Sequence, residues 1–346
     1  MDRELHRRSI DAPLVPPGSA VGREDVLAFT RRRLLALIVV LAGWFGGPAA
    51  SAESSIAIFA SGQGDAYAEV VAALTAELRK APGTRVVVGT AGVDRLEDLL
   101  AGTGQTSSSA GLLIITVGTA ATQIVLEHTE LRTPVLATLL PRVTFEALQR
   151  SARTPHGRRA SAVFLDQPLT RQLDLLRIAL PKVRRIGAIT GAEGSVDQER
   201  LRAIAESRQF SLTVERVERE TELYPALERV LTDAEAFVAV PDAKVINSAT
   251  AQNVLLTSFR FRVPVLGYSA AYVRAGALLA VYSTPAQIGT EAGELARSAA
   301  RGAGIGMSKY PRYYSVAVNR QVERALGLSI EDDAVLRERL QRIERE

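Results

Sequence analysis

Short runs of Val, Ile, Leu and Ala with no polar alternation recur along the chain, each closed by Gly, Pro, Ser or Asp and followed by a segment of helical spacing. A strand that is apolar on both faces has to be covered on both, so such runs predict parallel sheets sandwiched between helices. A first set covers 55–60, 85–89, 112–117, 134–140 and 162–165, and a second covers 186–190, 212–217, 236–240 and 263–267. The intervening segments supply the covers. In 66–80, for example, Val70, Val71, Leu74 and Leu78 share one helix face, and Glu69, Glu77 and Arg79 are left for water. The tail predicts a helix over 285–301, a strand over 313–318, a short helix ending near Gly327, and a surface helix in 331–346 with Leu336, Leu340 and Ile343 on one stripe. The expected fold is therefore α/β with two lobes joined by hinge crossings: 53–168 forms one, 284–346 returns to it, and 169–283 forms the other.

Ahead of these lobes, residues 31–52 read RRRLLALIVVLAGWFGGPAASA. The apolar core, 34–45, is about 12 residues long, short of the roughly 20 that span a bilayer. With three arginines before it and Ala50-Ser51-Ala52 after it, the segment predicts an export signal cut after Ala52, so the mature protein is expected in the periplasm. The stretch from Thr30 to Leu35 loosely fits the twin-arginine pattern, and the general secretory route is the alternative. Of 42 basic and 38 acidic residues, 7 and 5 lie in 1–52, which leaves 35 against 33. A net charge of +2 on the remainder gives no case for nucleic acid. Cysteine is absent, so burial rather than disulfides must stabilise the fold. Only His128 and His156 follow the leader, too few for the common zinc arrangements, and no catalytic triad, nucleophile elbow or carboxylate pair is visible. No metal, no cofactor and no enzymatic activity are expected; His128 reads as a helix C-terminal residue and His156 as part of a basic loop.

In open α/β sheets ligands bind beyond the carboxyl ends of the strands, and that places the candidates. Ser61-Gly62-Gln63-Gly64 follows the first run, where glycine lets backbone amides approach a ligand; the alternative is a plain βα turn. A dinucleotide loop is not expected there, because Tyr67 stands where the third glycine belongs and no acidic residue ends the second run. Gly118 and Thr119 follow the third run, and the Thr119 hydroxyl can meet a ligand or cap the next helix. Pro141 follows the fourth, with Arg142 beside it as a candidate for an anionic group. Asp166 and Gln167 lie at the first crossing as both cleft and hinge candidates. In the second lobe Gly191 opens a turn, Asp242 follows an apolar strand and can accept from an ammonium or cap a helix, and Tyr268, Ser269 and Tyr282 lie at or near strand ends.

The segments FVAVPDA (237–243), VPVLGYS (263–269) and VRAGALL (273–279), together with Ile288-Gly289 and Leu326-Gly327-Leu328, resemble a family of periplasmic substrate-binding proteins of ABC transporters, one that includes tryptophan and tyrosine uptake proteins. The resemblance spans the mature chain, densest in its last third, and implies two Rossmann-like lobes of the type I periplasmic-binding architecture. It implies a monomer that binds a small solute, an amino acid or similar, between its lobes and delivers it to an inner-membrane ABC permease. Family members usually carry an Asp-Pro turn after the fourth strand and a Thr-Gly run at the crossing, where this chain has Leu139-Leu140-Pro141 and Phe164-Leu165-Asp166-Gln167-Pro168. Those departures motivate the alternative of a receptor-like protein without transport, acting as a sensor or interaction partner in an envelope complex.

Overall fold

A computed structural model describes residues 54–104, 111–128, 131–152, 159–191, 197–242 and 245–345. The export leader, His156 and the turn over 192–195 lie outside the described residues. In the first sheet, β1 (Ser54–Ala60), β2 (Thr84–Thr90), β3 (Leu112–Val117), β4 (Val135–Thr138) and β5 (Ala160–Val163) run in the order β2-β1-β3-β4-β5, all parallel. Ile56 pairs with Val86 on one side and with Leu113 on the other. Helices α1 (Asp65–Leu78), α2 (Leu96–Gly102), α3 (Thr119–Glu127) and α4 (Arg142–Ser151) cover it. Ile56, Ile58, Ile115 and Leu136 pack beneath α1, and Ala57, Phe59 and Ile114 pack beneath α2 and α3. Each such buried Ile, Leu or Phe side chain contributes about 1.5–3 kcal/mol.

The second half contains α5 (Leu169–Ala179), β6 (Arg185–Gly191), α6 (Gln198–Ser207), β7 (Ser211–Val217), α7 (Leu223–Asp233), β8 (Ala236–Val238), α8 (Ala251–Arg260), β9 (Val265–Gly267), α9 (Ala270–Ala275) and β10 (Leu279–Tyr282). Its strands are ordered β7-β6-β8-β9-β10, which repeats the order of the first sheet strand for strand. The run that became β10 was missing from the sequence-based set, and it completes the repeat.

The tail departs from expectation. Helix α10 (Pro285–Ser298) packs on α1 of the first lobe, as a returning segment should. Strand β11 (Ser315–Val318) instead pairs antiparallel with β10, so the second sheet is mixed and has six strands. After α11 (Arg320–Leu326), closed by Gly327 at φ 69°, α12 (Asp333–Ile343) packs on α5 and β11. Leu336 and Leu340 of α12 are fully buried in the second core. Of 284–346, then, α10 and the segment around Ile305, Lys309 and Tyr310 lie against the first lobe, whereas β11 has its backbone partners in β10 and the α12 stripe has its apolar partners on the second sheet. No helix among the described residues is long and apolar enough to cross a membrane.

Candidate functional site

Three connections join the halves: 164–168 between β5 and α5, 283–284 between β10 and α10, and 304–314 between α10 and β11. The first leaves the carboxyl end of β5 and the second leaves the carboxyl end of β10. They meet where Gln167 Nε2 donates to Ser283 Oγ at 2.8 Å. Both sheets therefore turn their carboxyl ends toward one junction, and the loops beyond those ends border the space beside it.

On the first lobe, Ser61 stands at the strand-order reversal between β1 and β3. Its N–H donates to Val117 O at 2.8 Å, and its hydroxyl accepts from Ala121 N–H at 2.8 Å. The hydroxyl thus caps α3 from a neighbouring loop, the role that sequence offered to Thr119. Thr119 is instead the exposed first residue of that helix. Gly118 has φ 92°, and a Cβ there would lie 2.7 Å from the Tyr67 ring and 2.8 Å from Ser61 Oγ, so only glycine fits. A Cβ on Gly62 would lie 3.3 Å from the same ring, while Gln63 and Gly64 are exposed. Tyr67 is the residue sequence reasoning passed over: it entered only as a misfit to a glycine pattern, yet it packs over both loops.

Gly118 N–H donates to Thr138 O at 2.8 Å, which carries the rim to β4. There Leu139 adopts φ 57°, a left-handed conformation that costs a non-glycine residue about 1–3 kcal/mol. Pro141 follows as the N-cap residue of α4. Asp166 reaches back from the crossing, and its Oδ1 accepts from Arg142 N–H at 2.7 Å. Burial pushes the Asp166 carboxyl above the ordinary carboxylate range, and the hydrogen bond from Arg142 opposes the rise. Arg142 spends its guanidinium on Glu146 at 2.8 Å. Tyr310, from the third connection, stacks edge-on to Phe164 with ring centroids 5.4 Å apart, and burial followed by the Asp166 carboxylate pushes its phenol up. With Tyr310 lying 144 positions after Asp166, no sequence signal joins them.

On the second lobe, Asp242 ties the end of β6 to the loop after β8. Its Oδ2 accepts from Gly191 N–H at 3.3 Å and its Oδ1 from Val245 N–H at 3.1 Å. It is not the cap of the next helix, since α8 starts at Ala251 after Thr250. Ser269 Oγ accepts from Tyr272 N–H at 3.1 Å as the N-cap of α9. Tyr268 is half-buried and stacks on Tyr272 at 4.8 Å between centroids. Burial pushes both phenols up, Tyr272 the further, and the Tyr272 hydroxyl has no hydrogen-bond partner among the described residues. Tyr282 ends β10, half-buried against the second core.

The structure thus brings Ser61, Gly62, Gly118, Thr119, Pro141 and Asp166 to one rim and Gly191, Asp242, Tyr268 and Ser269 to the other, with Gln167 and Tyr282 at the junction. The Gln167 side chain is consumed inside the connections. His128 is the C-cap residue of α3, 3.6 Å from Glu97, and belongs to neither rim. No group of three or more His, Cys, Asp or Glu side chains among the described residues is arranged to hold a metal. A 10 Å³ recess lined by Leu173, Ile186, Leu201 and Val238 has room for about one water and is entirely apolar, so it is not a solute site.

The family model described as "ABC transporter substrate binding protein" matches residues 64–341. Among solved structures, a substrate-binding protein with adhesive properties from Clostridium difficile, in its ligand-free, open form, is 18% identical over 81% of this chain and 97% of that one, with TM-score 0.63. An ABC domain from Streptococcus pneumonia in complex with L-Trp is 16% identical over 83% and 98%, with TM-score 0.54. A periplasmic ribose ABC transporter protein from Conexibacter woesei is 16% identical over 82% and 98%, with TM-score 0.50. Among curated proteins none matches.

Proposed function

Because this chain belongs to the ABC transporter substrate-binding proteins, we propose that it is a periplasmic receptor that closes its two lobes on a small solute and hands the closed form to an importing permease. One observation carries this reading: the carboxyl ends of two topologically equivalent sheets converge on the Gln167–Ser283 junction. A solute held by both rims favours the shut arrangement by its contacts to the second lobe, and closure is the signal a permease reads.

The rims suit an amino acid or similar zwitterion. Amides at the start of α3 and in the Ser61–Gly64 turn can receive a carboxylate, Asp242 can accept from an ammonium, and the Tyr268–Tyr272 pair offers an aromatic wall for a side chain. The L-Trp complex of the pneumococcal relative supports this class; the ribose-transporter relative keeps sugars in the test.

Native mass spectrometry of protein purified without refolding is expected to show a retained small molecule. A thermal-shift series over amino acids and sugars is expected to give one class that stabilises by about 2.7 kcal/mol at 100 times its dissociation constant, with compaction in solution scattering. No retained molecule, no shift and no compaction would overturn the proposal.

A further inference from the structure

Asp166 and Gln167 are consecutive, yet their side chains are held by opposite halves of the molecule. Asp166 is bound to the first amide of α4 in the first lobe. Gln167 is only 6% exposed, and both ends of its carboxamide are engaged on the other side. Nε2 donates to Ser283 Oγ at 2.8 Å in the second connection, and Oε1 accepts from Arg171 Nη1 at 2.6 Å. Each partner goes on to the third connection: Ser283 Oγ donates to Tyr313 O at 2.6 Å, and Arg171 Nη1 donates to Pro311 O at 2.7 Å. Arg171 is itself fixed in the second lobe, 4.3 Å over the Tyr314 ring and paired with Glu344, the C-cap residue of α12. From the first-lobe side, the third connection is held by Lys309, whose N–H donates to Ala162 O at 2.8 Å and whose carbonyl accepts from Phe164 N–H at 3.0 Å. The buried Glu291 of α10 adds a hold on Lys309 Nζ at 2.8 Å and on Arg312 N–H at 2.8 Å.

We propose that Gln167 is a positioning residue of the hinge: its carboxamide binds all three connections into one hydrogen-bonded strip, makes the Asp166–Gln167 peptide the pivot of the first, and so sets the balance between open and closed lobes without touching solute. A buried carboxamide whose donor and acceptor are both engaged within the protein has little left to offer a ligand, whereas losing it leaves Ser283 and Arg171 short of a partner at the point where the halves turn. This inference rests on the two-lobed receptor reading, but it is tested on solute-free protein and so fails or stands separately from solute binding.

The experiment is hydrogen-exchange mass spectrometry and solution scattering on the solute-free full chain, comparing wild type with Gln167→Ala, Ser283→Ala and the double variant. Each single variant is expected to speed exchange about fivefold to tenfold in segments 281–287 and 309–315 alike, with β3 unchanged. The double variant is expected to match either single one, because one chain of bonds is broken only once. The radius of gyration is expected to shift in the same direction in all three. Faster exchange confined to 164–170 in Gln167→Ala, or additive effects in the double variant, would overturn the strip. An unchanged scattering curve would overturn its control of the lobes. If Gln167→Ala does not fold, Gln167→Met, which keeps the length of the side chain and offers neither a donor to Ser283 nor an oxygen to Arg171, gives the same reading.

Discussion

Gly289 of α10 lies so close to Val70 of α1 that a Cβ on the glycine would sit 2.4 Å from the Val70 carbonyl oxygen. One turn later, a Cβ on Gly293 would lie 2.5 Å from Glu77 Cβ. Helix α10, which returns to the first lobe, is seated there by two missing side chains.

Replacing Gly289 with alanine sets two effects against each other. Helix propensity favours alanine by about 1 kcal/mol. Overlap with a backbone atom, which cannot rotate away, forces the helices apart at a cost of about 1–3 kcal/mol. Gly289→Ala is expected to lower the denaturation midpoint, and Gly289→Ala with Gly293→Ala to lower it further. A midpoint at or above wild type in chemical denaturation would contradict the close approach.

The Tyr272 hydroxyl is buried without a hydrogen-bond partner among the described residues, and its unmet desolvation is a standing cost. Tyr272→Phe keeps the stack on Tyr268 and removes that oxygen. Its stability is expected to equal that of wild type or exceed it by up to about 1 kcal/mol, as read by thermal unfolding of solute-free protein.

Asp166 gives a pH signature. With its carboxyl pushed up by burial, the folded state keeps a proton at pH values where the unfolded chain has released it. The stabilisation is complete below the unfolded value, about 3.9, and is lost as pH rises through the folded one. Asp166→Asn keeps an oxygen for Arg142 N–H and has no proton to lose. The expected result is a stability curve that falls over this window in wild type and is flatter in the variant; parallel curves would count against a raised carboxyl.

Asp242→Ala leaves the Gly191 and Val245 amides without the oxygens they now bind. A cost of about 1–3 kcal/mol is expected, together with faster amide exchange at Gly191. If Asp242 also receives an ammonium, amino-acid affinity measured by calorimetry on the folded variant falls at least tenfold.

Periodicity determined much of this protein. Unbroken apolar runs can only be buried on both faces, so the two parallel α/β halves and the loops at their carboxyl ends were legible from Ile56, Ile114 and Phe237 and their neighbours. Those loops supplied Ser61, Gly118, Asp166 and Asp242. Strand β10 was not legible because its apolar run, 277–282 between Gly276 and Ser283, is short and rich in Ala and Leu, so periodicity fits a buried helical turn as well as a strand. Tertiary structure alone decided what the polar groups do. Ser61 caps a helix 60 residues on, Gln167 meets a serine 116 residues away, and β11 turns back onto the second sheet rather than the first. A hydroxyl or carboxamide satisfies whichever partner the packed backbone brings within about 3 Å. That partner is fixed by the crossing of elements distant in sequence, whereas a strand's burial is fixed by the residues within it.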